Sequence, residues 1–176
     1  MKKAVIITGP GFEDPEVIYP YYRLLEEGFS VDIATKDAVD VKSKHGVALK
    51  SVLWTEIKNT KELREKEYQL VVIPGGYEAP DRVRQLEEVL DFIRKMYKAG
   101  KIISSTCHGP WVLISAGIMK GKKATCYIGM KDDLINAGAT YLSKAVVIDE
   151  NLITSDHPRN LGPWMKSTLA SVSTGK

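Results

Sequence analysis

One stretch of the 176-residue chain limits its fold more than any other. It runs from Ile102 to Ile118 and contains no Lys, Arg, Asp or Glu. Its opening, Ile102-Ile103-Ser104-Ser105-Thr106, is short, uncharged and partly β-branched, which predicts a strand buried on both faces. Trp111 to Ala116 is apolar and stops at Gly117, which predicts a short buried helix. Between them lies Cys107-His108-Gly109-Pro110. A sharp strand-to-helix turn lifts a thiol clear of the sheet, aims the following N–H groups at it and sets it at a positive helix end. Each effect favours thiolate over thiol, so Cys107 is read as a nucleophile with a lowered pKa. A free cysteine is otherwise an ordinary buried residue. Cys126, in Lys123-Ala124-Thr125-Cys126-Tyr127, has no such turn and is read as structural.

Other segments repeat the alternation. Ala4 to Thr8 predicts a buried strand closed by Gly9-Pro10-Gly11. Asp14 followed by Pro15 predicts a helix start, with the helix running to Glu27 and kinked or broken at Pro20. Ser30 to Thr35 predicts a second strand, Asp40 to Lys50 a small hairpin, and Asn59 to Glu67 a surface helix capped by Asn59. Gln69 to Ile73 predicts a buried strand that ends in Pro74-Gly75-Gly76. Leu86 to Ala99 carries a helical apolar stripe, and Lys131 to Ala137 predicts a short helix. Ala145–Asp149 and Leu152–Ser155 predict a hairpin, and Leu161 to Val172 a final amphipathic helix. No repeat or linker divides residues 1–176, which are read as one domain. The expected fold is α/β: a doubly wound, mostly parallel sheet sandwiched by helices, with an appended hairpin. Such sheets bind ligands at the carboxyl ends of their strands. Glu13, Gly75, Gly76, Cys107 and His108 all fall there.

Composition narrows the function classes. A formal net charge of +3, with acids and bases interleaved, gives no basic patch for nucleic acid or an anionic membrane. No apolar run approaches a bilayer span, and the four-residue apolar start reads as a strand rather than a signal peptide. Two cysteines do not make a disulfide framework. The expected location is the cytoplasm, where a thiol stays reduced. Cys107 and His108 are adjacent rather than spaced for chelation, so neither a metal nor a cofactor is expected.

The residues suggest roles. The N–H groups of Gly75, Gly76 and His108 are candidates for an oxyanion hole. His108 serves as proton carrier if the turn rotates it back toward the sulfur. Glu13 either orients that histidine or lies against the sulfur, where a carboxyl bonded to a thiolate must itself hold a proton. His45 reads as a surface residue, and His157 follows a strand toward the same rim.

These residues resemble the PfpI family of intracellular cysteine peptidases, in the class I glutamine amidotransferase-like superfamily. The likeness is carried by Phe12-Glu13-Asp14 with Ile18-Tyr19-Pro20, by Lys44-His45-Gly46, and by Pro74-Gly75-Gly76 with Ala79-Pro80-Asp81-Arg82-Val83-Arg84. Cys107-His108-Gly109-Pro110 with Leu113 to Gly117, and Lys131-Asp132-Asp133 with Ile135 to Gly138, complete it. The resemblance implies a flavodoxin-like sandwich, Cys107 as nucleophile in a strained turn and Glu13 hydrogen-bonded to its sulfur. It implies a glutamate from a neighbouring subunit that orients His108. Asp81 holds the matching position, one methylene shorter, which tilts the reading from peptide hydrolysis toward aldehyde chemistry. It further implies a homo-oligomer, a dimer often built up into a hexamer. The superfamily spans peptidases, glyoxalases and deglycases, so the expected substrate is a peptide or a small aldehyde such as methylglyoxal or its adducts. The alternative is a non-catalytic, chaperone-like stress protein that senses oxidation at Cys107.

Overall fold

A computed structural model of the chain describes residues 2–174. Strands and helices alternate: β1 (Lys3–Ile7), α1 (Asp14–Glu26), β2 (Ser30–Thr35), the single turn α2 (Leu49–Val52), β3 (Ile57–Asn59) and β4 (Leu70–Ile73). There follow α3 (Glu78–Val83), α4 (Glu87–Lys98), β5 (Ile102–Thr106), α5 (Pro110–Ser115), β6 (Lys123–Ala124), α6 (Lys131–Asn136) and β7 (Thr140–Tyr141). The chain closes with β8 (Val146–Asp149), β9 (Leu152–Ser155) and α7 (Leu161–Thr174). The main sheet has the order β3-β2-β1-β4-β5-β9-β8, and β6 pairs with β7 in a small second sheet. All pairings in the main sheet are parallel except β8 with β9, the appended hairpin.

The short strands work because alternate residues serve two cores. Val5, Ile7, Val71, Ile73 and Ile103 face α4 and α5, against Val89, Phe92, Ile93, Met96, Val112 and Leu113. Ala4, Ile6, Leu70 and Val72 face the other layer, against Val17, Tyr21 and Leu24 of α1 and Trp164 and Met165 of α7. The serines of β5 are buried without loss. Ser104 bonds Thr168 at 2.6 Å, and Ser105 donates to the Ile73 carbonyl at 3.0 Å.

Two local expectations change and one is met. α1 runs through Pro20 without a break, and the ring is buried in the core. The missing N–H costs one helical bond, which burial of the apolar face outweighs. Residues 40–50 do form a minimal hairpin: Lys42 bridges Ala48 antiparallel, the Ser43 N–H donates to the Val47 carbonyl at 2.8 Å and the Leu49 N–H to the Val41 carbonyl at 3.1 Å, while Ser43 also bridges Phe12 in parallel. The stretch expected as a helix from Asn59 instead follows edge strand β3 as two single 3₁₀ turns, Thr60–Glu62 and Glu65–Glu67. Asn59 does cap, accepting from the Lys61 N–H at 3.1 Å.

Gly109 is where α5 leaves β5. A Cβ there would run into the Ile73 carbonyl and the Ser105 hydroxyl, and lie 2.9 Å from the Thr106 carbonyl. Gly109→Ala should therefore destabilise the chain by about 1–3 kcal/mol in denaturant unfolding. Gly162→Ala, in open space within α7, should be neutral or stabilising. Equal effects from the two substitutions would contradict this account of the turn.

Candidate functional site

Cys107 is the residue after β5, and its backbone sits at φ 57°, in the left-handed region that side chains other than glycine rarely adopt. Such a residue costs of order 1–3 kcal/mol and persists only where its surroundings over-determine it. Here they do: its N–H donates to the Ser155 carbonyl at 3.0 Å, and its own carbonyl accepts from the Tyr127 N–H at 3.0 Å. The neighbouring parallel strand β9 and the segment after β6 thus hold the turn from both sides.

The turn brings His108 back beside the thiol, with Nδ1 3.2 Å from Cys107 Sγ. The imidazole is stacked on Tyr127, ring centroids 4.6 Å apart, and flanked by Trp111 at 5.0 Å. Burial and the Lys44 charge hold its pKa below the usual range, so the ring is neutral at neutral pH. The sulfur opens into a cavity of about 350 Å³ lined by Glu13, Lys44, Gly76, Tyr77, Tyr127, His157 and Pro158. His157 reaches this rim, 6.3 Å from the Tyr127 ring, and its Nδ1 accepts from the Arg159 N–H.

The carboxyl beside the sulfur is Glu16, not Glu13. Glu16 projects from the first turn of α1, is completely buried, and accepts from the Gly75 N–H at 2.5 Å through Oε2. The Cys107 thiol lies within reach of the same carboxyl, although Oε1 has no hydrogen bond of full geometry. Glu13 instead pairs with Lys44 at the cavity wall. The physical reason is helical geometry: Glu13 precedes the helix and faces the open rim, while Glu16 points inward beside Val17 and Pro20. The signal was present in the sequence, an acid within an otherwise apolar inward face. It is masked because acids in a first helical turn are favoured by the helix dipole anyway.

Gly75 is corrected with it. Its N–H is committed to Glu16, so the amides left facing the sulfur are those of Gly76 and His108. The glycine is needed for space, since a Cβ at Gly75 would lie 2.6 Å from Glu16 Oε2 and 2.8 Å from Cys107 Cβ. Asp81 sits on the exposed side of α3, where its carbonyl and carboxylate accept from Gln85, and it makes no contact with His108 within this chain. Cys126 is buried in the core, its thiol pushed up to about 12 by burial. Among the described residues, Glu13, Asp14 and His45 bring ligand-type atoms within 4.8 Å of one another. Glu13 is already paired with Lys44, and Asp14 with the exposed His45 at 2.7 Å.

The electrostatics of the thiol differ from a simple helix-end picture. Burial is the largest effect on Cys107 and pushes its pKa up, an ionised Glu16 pushes the same way, and the His108 and Gly76 amides pull it down. Burial also raises Glu16 to about 8. At neutral pH the carboxyl therefore keeps its proton and presents no charge to the sulfur. The sulfur is therefore held as a thiol beside a neutral acid, with the two amides placed to meet negative charge as it develops in reaction.

The model of the DJ-1/PfpI family matches residues 2–171. The chain belongs to the DJ-1/PfpI family. It is 43% identical over 164 residues to Deglycase PfpI of Pyrococcus furiosus, covering 93% of this chain and 95% of that one. It is 32% identical over 170 residues to Protein/nucleic acid deglycase 2 of Escherichia coli, covering 96% of each. A solved structure from Anabaena variabilis, a two-domain protein with DJ-1/ThiJ/PfpI-like and ferritin-like domains, superposes with a TM-score of 0.91 at 35% identity. That likeness covers 99% of this chain and 49% of the larger one. The flavodoxin-like arrangement of the sheet is thus that of the DJ-1/PfpI fold. Among the described residues no helix is long and apolar enough to cross a membrane.

Two outcomes follow from Glu16. Glu16 ionises before the thiol and its charge and hydrogen bond both hold the thiol up, so Glu16→Leu should lower the apparent Cys107 pKa by about one to two units. Glu13→Gln should leave it unchanged; iodoacetamide rates against pH measure both, and a reversed pattern would refute the assignment. Separately, the folded chain holds a proton on Glu16 that the unfolded chain releases between the ordinary value of 4.5 and about 8. That contribution to stability is complete below the lower value and is lost as pH rises to the upper one. Glu16→Gln should flatten the fall of melting temperature across that window, and an unchanged slope would mean Glu16 titrates normally.

Proposed function

We propose that this chain is a cysteine-dependent hydrolase of deglycase or glyoxalase type, acting on small α-oxoaldehydes or their adducts, with Cys107 as nucleophile. The observation that carries the reading is a small cavity in which the sulfur, a neutral imidazole and two amides converge. Two relatives that carry deglycase names, at 43% and 32% identity along nearly the whole chain, support it.

The Cys107 thiol passes its proton to the neutral His108 Nδ1, 3.2 Å away, as the sulfur adds to the aldehyde carbon of methylglyoxal, and the new oxyanion is met by the amides of Gly76 and His108 before the imidazolium returns the proton. Protonation gives a hemithioacetal. The neutral His108 then takes the proton from that carbon and returns one to the adjacent carbon, turning the adduct into a lactoyl thioester. Water cleaves the thioester, releasing lactate and restoring the thiol. Glu16, protonated at neutral pH, places no negative charge beside the reacting sulfur. Lys44, paired with Glu13 on the wall, keeps the imidazole uncharged.

Peptide hydrolysis asks more of His108, because a poor amine leaving group must be protonated and a carboxylate is needed to steady the ring. Asp81 could fill that role only from a second copy of the chain, in a homo-oligomer whose interface brings α3 over the cavity. The shorter aspartate and the small cavity favour the aldehyde.

NMR-detected consumption of methylglyoxal by the wild type and by Cys107→Ala, with a quenched peptide run alongside, tests the reading. Aldehyde turnover that falls at least a hundredfold in the variant is expected (about 2.7 kcal/mol of lost barrier reduction). Cleavage of the peptide alone would establish the peptidase reading instead. Turnover of neither would leave Cys107 as an oxidation sensor.

A further inference from the structure

A second cavity, of about 530 Å³, is larger than the thiol pocket and shares no lining residue with it. It opens where Thr8 follows β1, Lys36 follows β2, and Arg82 and Val83 of α3 come in after β4. β1 lies between β2 and β4, so this is the place where the strand order turns back, the crevice in which doubly wound sheets hold small ligands.

Its polar groups are unusually free. The Thr8 side chain is buried, only 2% exposed, and its hydroxyl has no hydrogen-bond partner. A buried hydroxyl in that state is unfavourable until something supplies a partner. Lys36 forms no ion pair within 4.0 Å among the described residues, and Arg82 is tied only to Glu78 of its own helix through an exposed pair. The acid in the wall, Asp37, is already neutralised by Lys61 at 3.0 Å. The excess charge is therefore positive. Most of the remaining wall is aliphatic, with Val39, Val83 and Leu86, and the amide of Gln85 is bonded to the Asp81 carbonyl.

The backbone adds an independent sign. Asp37 and Ala38 follow one another at φ 55° and 57°. Two consecutive side chains in the left-handed region are costly, and such strain collects where a protein clamps a ligand.

We propose that this cavity binds a small organic monocarboxylate. Its headgroup lies between Arg82, Lys36 and the Thr8 hydroxyl, and its short aliphatic body rests on Val39, Val83 and Leu86. The site is separate from the thiol chemistry and stands whether or not the proposed reaction does.

Titration of ¹⁵N-labelled protein with hexanoate, hexan-1-ol and inorganic phosphate tests it. Hexanoate should give saturable shifts at the Gly9, Lys36 and Val83 amides, and Arg82→Gln should weaken it roughly tenfold or more. Thr8→Val, which removes a hydroxyl that bonds nothing in the chain, should keep the melting temperature and lose several-fold in affinity. The proposal is overturned if hexan-1-ol or phosphate binds as tightly as hexanoate, or if both variants bind like the wild type. It is equally overturned if the shifts gather at Cys107 and His108, or if no saturable shift is seen, as when a second copy covers the cavity.

Discussion

The hydrogen bond from the Gly75 amide to the buried Glu16 carboxyl is the contact on which the rest of the site depends. It ties the first turn of α1 to the end of β4, two elements 59 residues apart in sequence. An acid so buried would be expensive if ionised, and the amide alone does not offset that cost, so the carboxyl stays protonated near neutral pH. A neutral acid beside the thiol spares the sulfur the repulsion that an ionised carboxylate would exert. Gly75 makes the contact feasible by having no side chain, since the amide, the carboxyl and Cys107 all crowd the space a Cβ would fill.

The second constraint is the backbone of Cys107. Its left-handed conformation is unfavourable for cysteine, yet hydrogen bonds on both sides leave no alternative. The strand, the turn and the helix therefore form one rigid unit, with Gly109 packed too tightly for any side chain. That rigidity sets His108 against the sulfur instead of pointing it away, as it would in an extended chain. Tyr127 then stacks on the ring and fixes its plane.

Much of the architecture could be read from the chain. The largely apolar runs at Ala4 to Thr8, Ser30 to Thr35, Gln69 to Ile73 and Ile102 to Thr106 each became a strand, with ends shifted by a residue at most. Strands buried on both faces admit little charge, so their signal is strong, and the one acid among them, Asp32, is paired with Lys3 and Lys58 at 3.0 Å each. β3 was hidden because an edge strand of three residues, Ile57–Asn59, carries no such pattern and follows an irregular loop. Residues 59–67 are rich in charge and good helix formers, but nothing apolar there repeats at helical spacing to hold a helix against the core. In the site, Cys107 and His108 were legible because a turn motif is local. Glu16 was not, because whether Glu13 or Glu16 meets the sulfur depends on how α1 is rotated against β4.

The sequence by itself determined the class of fold, the turn that presents the thiol and the histidine beside it. All three rest on neighbours in the chain, where residue type and spacing fix the local geometry. The tertiary structure alone decided which acid tunes the thiol, which amides remain free to meet an oxyanion, and where the unpartnered Thr8 hydroxyl lies. These follow from packing between segments tens of residues apart. Burial, which sets the proton on Glu16, exists only once those segments have come together.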